Sequence, residues 1–157
     1  MEKLSEHFSV WEFERSQTAK RLGINNTMTE EHKENAKALC INILEPLRKH
    51  LNMPIKISSG YRSKDLNKAI GTASSTSQHC KGEAVDIDMD GYYGTTNYQI
   101  FHWLLNNVDF DQMIYEFGTD TNPDWVHISY SKSKTKQRNE VLRAVRTKNG
   151  VEYHKYI

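Results

Sequence analysis

The sequence predicts an α+β fold: one domain over residues 1–157, an antiparallel sheet, and helices packed mainly on one side of it. Three observations predict this. The 157 residues suit a single core, since a chain of that size buries about two-thirds of the surface its unfolded form exposes. Apolar residues step by three and four from Ala36 to Leu51, the signature of a helix with one buried stripe. Residues 112–117 and 125–130 alternate with a period of two, and strands and helices do not alternate regularly enough for a doubly wound parallel sheet.

After a short amphipathic opening around Val10 to Phe13, Thr29 is a predicted N-cap, with Glu30 and Glu31 at the positive end of the helix dipole. The long helix that follows carries Ala36, Leu39, Cys40, Ile43, Leu44, Leu47 and Leu51 on one stripe, and Pro46 is expected to kink it late. Residues 55–58 form a short strand candidate. Ser63 then caps a short helix that stops before Gly71, and residues 72–82 read as a polar loop. A strand through residues 84–87 precedes a helix from about Thr96, with Ile100, Phe101, Leu104, Leu105 and Val108 turned inward. Residues 141–147 and 151–153 flank Asn149-Gly150, a strong hairpin signal.

Lysine and arginine total 21 against 20 acidic residues, so no overall field attracts polyanions. The single basic stretch, Lys132 to Arg138, reads as a solvated loop, and nucleic acid is a weak partner candidate. Two cysteines without a CxxC spacing exclude a disulfide framework and a thiolate metal cluster; both read as small buried residues. The N-terminal stretch lacks the features of a secretory signal, and no apolar run is long enough for a transmembrane segment. Synthesis in the cytoplasm and a monomeric state are expected.

The chemistry concentrates in SQHCKGEAVDID, residues 77–88, and DWVHIS, residues 124–129. Two histidines and a carboxylate, here His79, Asp86 and His127, form a familiar hydrolytic zinc set, because three protein ligands leave one tetrahedral position for water. His7, His32, His50, His102 and His154 are read as structural, the commoner role of a scattered histidine. The run Asp86, Asp88, Asp90, Gly91 also begins like a calcium loop, but its twelfth position is Asn97 instead of a bidentate glutamate. Tyr92, Tyr93 and Tyr98 read as packing aromatics, with a groove role open for the first two.

SGYRS (59–63), LNKAIG (66–71), SQHCKGEAVDI (77–87) and WVHIS (125–129), in this order, resemble the zinc D-alanyl-D-alanine carboxypeptidase family of cell-wall peptidases, which shares its fold with the hedgehog signalling domain. The opening, residues 7–24, is similar to bacterial and phage members. The resemblance implies a zinc cofactor on His79, Asp86 and His127, and peptidoglycan stem peptides as substrate. It implies Asp124 as catalytic base, three positions before the last ligand, Arg62 near the scissile carbonyl, and Ser77 near a substrate carboxylate. The best-known members carry Glu at the base position, so Glu116 competes. If residues 112–117 and 125–130 form a hairpin pairing Ile114 with His127, Glu116 stands opposite Trp125 and diagonal to His127. The reaction expected is peptide hydrolysis by metal-activated water, of carboxypeptidase or endolysin-like endopeptidase type. Wall access through a phage-induced membrane lesion is one expected route. The alternative is a non-catalytic zinc-containing wall-binding module of the same fold.

Overall fold

The computed structural model describes residues 1–71 and 76–156, so residues 72–75 of the expected polar loop lie outside the described residues. Local sequence signals set most helix starts. Ser9 and Glu12 close a reciprocal capping box on α1 (Val10–Glu14), and Ser16 caps α2 (Gln17–Leu22), a short helix that the periodicity did not announce. Thr29 caps α3 (Glu30–Leu39), accepting from the His32 N–H, while His32 Nδ1 accepts from the Thr29 N–H.

At Pro46, where a kink is expected, the structure shows a change of helix type. Between α3 and α4 (Glu45–Leu51) the chain makes a wide π-helical turn, Cys40–Leu44, in which the Glu45 N–H reaches back to the Cys40 carbonyl. Pro46 lacks an N–H and its ring crowds the carbonyl four residues back, so the widened turn lets the helical path continue without a break. The buried stripe stays in phase: Ala36, Leu39, Cys40, Ile43, Leu44 and Leu47 are all fully buried.

Six strands follow: β1 (Ile57–Ser59), β2 (Ala84–Ile87), β3 (Gln112–Glu116), β4 (Trp125–Ser129), β5 (Glu140–Thr147) and β6 (Gly150–Lys155), interrupted by α5 (Lys64–Ile70) and α6 (Asn97–Asn107). They form one sheet in the order β1-β2-β4-β3-β5-β6. All neighbours are antiparallel except β3 and β5, which run parallel. The chain leaves β4 at Ser129, beside the start of β3, and residues 130–139 cross that end of the sheet, so β5 must start there too.

That crossing is tied to a fully buried carboxylate. Asp111 accepts from Lys134 Nζ at 3.0 Å, Arg138 Nη2 at 2.9 Å and Gln78 Nε2 at 3.1 Å. Burial alone would raise its pKa, but Arg138 and Lys134 hold it down to about 2. The stretch expected to be a solvated loop is therefore anchored by two of its basic residues.

Strand alternation divides the sheet into two faces. Val85, Ile87, Met113, Tyr115, Val126 and Ile128 join the core with the inner residues of α3, α4 and α6, so these helices cover that face. Asp86, Ile114, Glu116, Trp125 and His127 point to the other face and line an open cleft. Among the described residues, no helix is long and apolar enough to cross a membrane.

Candidate metal centre and active-site cleft

His79 is delivered by a tight 3₁₀ turn, Gln78–Lys81, that begins and ends on specific residues. Ser77 caps it, its Oγ accepting from the His79 N–H at 3.2 Å. Gly82 ends it at φ +75°, pressed so closely on the α3 backbone that a Cβ would lie 2.5 Å from the His32 carbonyl oxygen. The ring is buried, and its Nδ1 lies 2.6 Å from the Gly60 carbonyl oxygen. A carbonyl only accepts, so Nδ1 carries the proton and Nε2 is left with its lone pair free. That Nε2 is buried without a hydrogen-bond partner and faces Asp86 Oδ1 at 3.3 Å. Gly60 is itself held against α1, where a Cβ would meet Phe13 Cα at 2.8 Å.

Asp86 and His127 come from adjacent strands β2 and β4, where they are direct register partners. His127 Nδ1 lies 3.1 Å from Asp86 Oδ1. One ligand atom from each of His79, Asp86 and His127 falls within 4.8 Å of the others, a cluster able to hold a metal ion. Burial alone would raise the Asp86 pKa, but the two histidines beside it hold its carboxyl far below the usual range. Burial lowers the pKa of His79 against the pull of Asp86, favouring the neutral imidazole that metals bind.

Glu116 stands beside this cluster. Ile114 pairs with His127 and Glu116 with Trp125, the register expected from the sequence, so Glu116 shares the cleft face with both ligand-bearing strands. It is 8% exposed. Burial pushes its pKa up to about 7, opposed by His127 and assisted by the Asp86 carboxylate. Asp124 occupies a different position: it precedes β4, is exposed, and does not line the cleft. Its backbone is the part in use, donating to the Glu116 carbonyl at 2.9 Å and accepting from Asn97 Nδ2 at 2.9 Å.

Arg62 reaches the cleft from the segment between β1 and α5. Its Nη2 is 3.8 Å from Asp86 Oδ2, its Nη1 donates to Asn67 Oδ1 at 3.4 Å, and its backbone N–H donates to the His79 carbonyl. The buried Nε has no hydrogen-bond partner. Ser77 lines the same cleft. The carboxylates of the calcium-like run are otherwise engaged: Asp88 accepts from Asn97 Nδ2 at 3.0 Å, and Asp90 accepts from the Asn97 N–H and from Asn122 Nδ2. They clamp the start of α6, while Asp86 turns the opposite way into the cleft.

Sequence reasoning missed three participants. The Gly60 carbonyl that orients His79 has no signature beyond the glycine before Tyr61. His32, assigned a structural role, supplies the backbone against which Gly82 packs, lines the cleft, and lies with its ring 4.7 Å from that of Tyr61. Tyr153, near the end of the chain, also lines the cleft; its phenol pKa is raised by burial and by the facing Glu116 and Asp86 carboxylates.

No curated protein matches the chain significantly. The family model described as Peptidase M15 matches residues 6–129, well over half of the chain, a span that holds Arg62, Ser77, Glu116 and all three members of the His-Asp-His cluster. The chain therefore belongs to the Peptidase M15 family of metal-dependent peptidases.

Proposed function

We propose that this chain is a zinc peptidase that hydrolyses peptide bonds in the stem peptides of peptidoglycan, acting at the bacterial wall. The observation that carries the reading is the convergence of His79 Nε2, Asp86 Oδ1 and His127 Nδ1 beside the buried Glu116 carboxyl. The donor set suits zinc. Zinc–ligand bonds of about 2.0–2.2 Å put the ligand atoms of a tetrahedral site roughly 3.3–3.5 Å apart. The 3.1 and 3.3 Å separations here are close to that before any adjustment. The orphaned His79 Nε2 is the lone pair such a site requires.

His79, Asp86 and His127 would hold the ion. When bound, zinc supplies Lewis-acid chemistry, lowering the pKa of water toward ~7 and polarising a carbonyl oxygen. We assign Glu116 as the general base in preference to Asp124, because it faces the cleft and its carboxyl is poised near neutrality. Glu116 takes a proton from the attacking water as the carbon–oxygen bond forms. Arg62, always charged and with an unpaired buried Nε, stabilises the oxyanion that develops on the scissile carbonyl. Glu116 then returns the proton to the leaving nitrogen as the carbon–nitrogen bond breaks. Ser77, which lines the cleft, contacts a substrate carboxylate.

Incubation of the zinc-loaded protein with purified peptidoglycan tests this reading. Soluble peptides should appear, with release abolished by a chelator and restored by zinc. Free single amino acids would mark carboxypeptidase action, and larger fragments with new amino termini would mark endopeptidase action. Absence of release from every peptidoglycan type would overturn the proposal in favour of a wall-binding module.

A further inference from the structure

The far wall of the cleft is built by the β5–β6 hairpin, which lies outside the residues matched by the family model. Cross-strand pairing puts Trp125, Glu116, Ala144 and Tyr153 in one row across four strands, with Glu116 opposite both Trp125 and Ala144, and Ala144 opposite Tyr153. Direct register partners share a face, so all four stand on the cleft side. Arg143, between Leu142 and Ala144, confirms the alternation: it lies over the Tyr115 ring on the core side. Ala144, the smallest side chain of the row, is fully buried, and Tyr153 is the exposed residue at the end of the row.

This wall is open and lines the cleft with apolar side chains, while Arg146 stands on the same face over the Phe117 ring. β6 is exposed along its whole length, with Tyr153 56% and Val151 48% exposed, and both line the cleft with Leu142. Trp125 lies on the other side of Glu116 in the same row and also lines the cleft, its ring edge-on to Phe117 at 5.4 Å. Exposed apolar side chains gathered at a cleft mark a surface that is covered when a ligand binds.

We propose that the β5–β6 hairpin is the specificity wall of this cleft and that Tyr153 is a substrate-positioning residue, packing its ring against an aliphatic side chain of the peptide bound in the cleft that Glu116 also lines. This rests on the peptidase reading above and adds a preference for a peptide with an aliphatic residue flanking the scissile bond. The ring supplies the contact; Tyr153 takes no part in proton transfer.

The test compares wild type, Tyr153→Ala, Tyr153→Phe and His154→Ala, the last altering a β6 residue that pairs with Arg143 on the opposite face. Zinc-loaded proteins are assayed on muropeptides solubilised by a glycosidase, and binding of the same muropeptides is measured by calorimetry in a Glu116→Gln background. Loss of one packed ring face should raise KM and weaken binding by about tenfold in Tyr153→Ala, leaving kcat within about twofold. Tyr153→Phe should restore both values, and His154→Ala should match wild type. Unchanged KM and binding in Tyr153→Ala would overturn the proposal, as would an equal loss in His154→Ala, which would trace the effect to hairpin integrity. Tyr153-dependent binding by a wild-type protein that cleaves nothing would uphold the wall while rejecting the peptidase reading.

Discussion

Asp86 Oδ1 lies 3.1 Å from His127 Nδ1 across two antiparallel strands in which the residues are direct partners. Neighbouring strands bring paired side chains on one face to within about 5 Å of each other, and backbone hydrogen bonds fix that spacing. Two of the three candidate ligands are thus positioned by the sheet itself. The third, His79, is aimed by the Gly60 carbonyl.

Metal should stabilise the fold, because the arrangement exists only in the native state. With free zinc about a thousandfold above its dissociation constant, linkage contributes about 4 kcal/mol, or roughly 10 °C in melting temperature for a chain of this length. Calorimetry of chelated and zinc-loaded protein measures this. His79→Ala and His127→Ala should each remove the zinc-dependent increment, and an increment that survives both would place the ion elsewhere.

Substitution separates the two carboxylates considered for proton transfer. Glu116→Gln should reduce kcat by about 10²- to 10⁴-fold, the usual contribution of a general base, while zinc content stays stoichiometric. Asp124→Ala should retain activity within about tenfold, since only its backbone is engaged near the site. The reverse ranking of the two variants would reassign the base.

The stability of the metal-free protein should depend on Glu116 in a defined direction. Its folded pKa, about 7, lies above the ordinary glutamate value of 4.5. The stabilising contribution of the neutral carboxyl is therefore complete below about pH 4.5 and lost as pH rises through about 7. In chelated samples, Glu116→Gln should match wild type near pH 4 and exceed it by up to about 3 kcal/mol at pH 8. Urea denaturation across that range reads the gap; a gap that narrows with rising pH would contradict it.

Gly82→Ala should damage both stability and the site. The residue combines φ +75° with a would-be Cβ contact of 2.5 Å to the His32 carbonyl, so the 3₁₀ turn must move. A loss of about 2–3 kcal/mol is expected from backbone strain alone. Because that turn carries His79, zinc affinity should weaken as well. Denaturation together with zinc titration measures the two effects, and wild-type affinity in a destabilised variant would show the turn to be independent of the site.

Much of the site was legible because its determinants are local. His79, Asp86 and His127 stood in short motifs, and the alternation of residues 112–117 and 125–130 was enough to pair Ile114 with His127 and so put Glu116 beside the cluster. Caps at Thr29 and Ser63, the buried helical stripe and the β5–β6 hairpin likewise follow from side-chain chemistry within a few residues of each element, although the hairpin's turn falls at Lys148-Asn149, one residue before the expected Asn149-Gly150. Only the tertiary structure decided which carboxylate faces the cleft, that β5 runs parallel to β3, that Asp111 anchors the basic loop, and that Tyr153 closes the far wall. Each of these depends on segments distant in sequence meeting across the sheet. Periodicity states which side of its own strand a residue takes; strand order and the path between strands determine what that side meets.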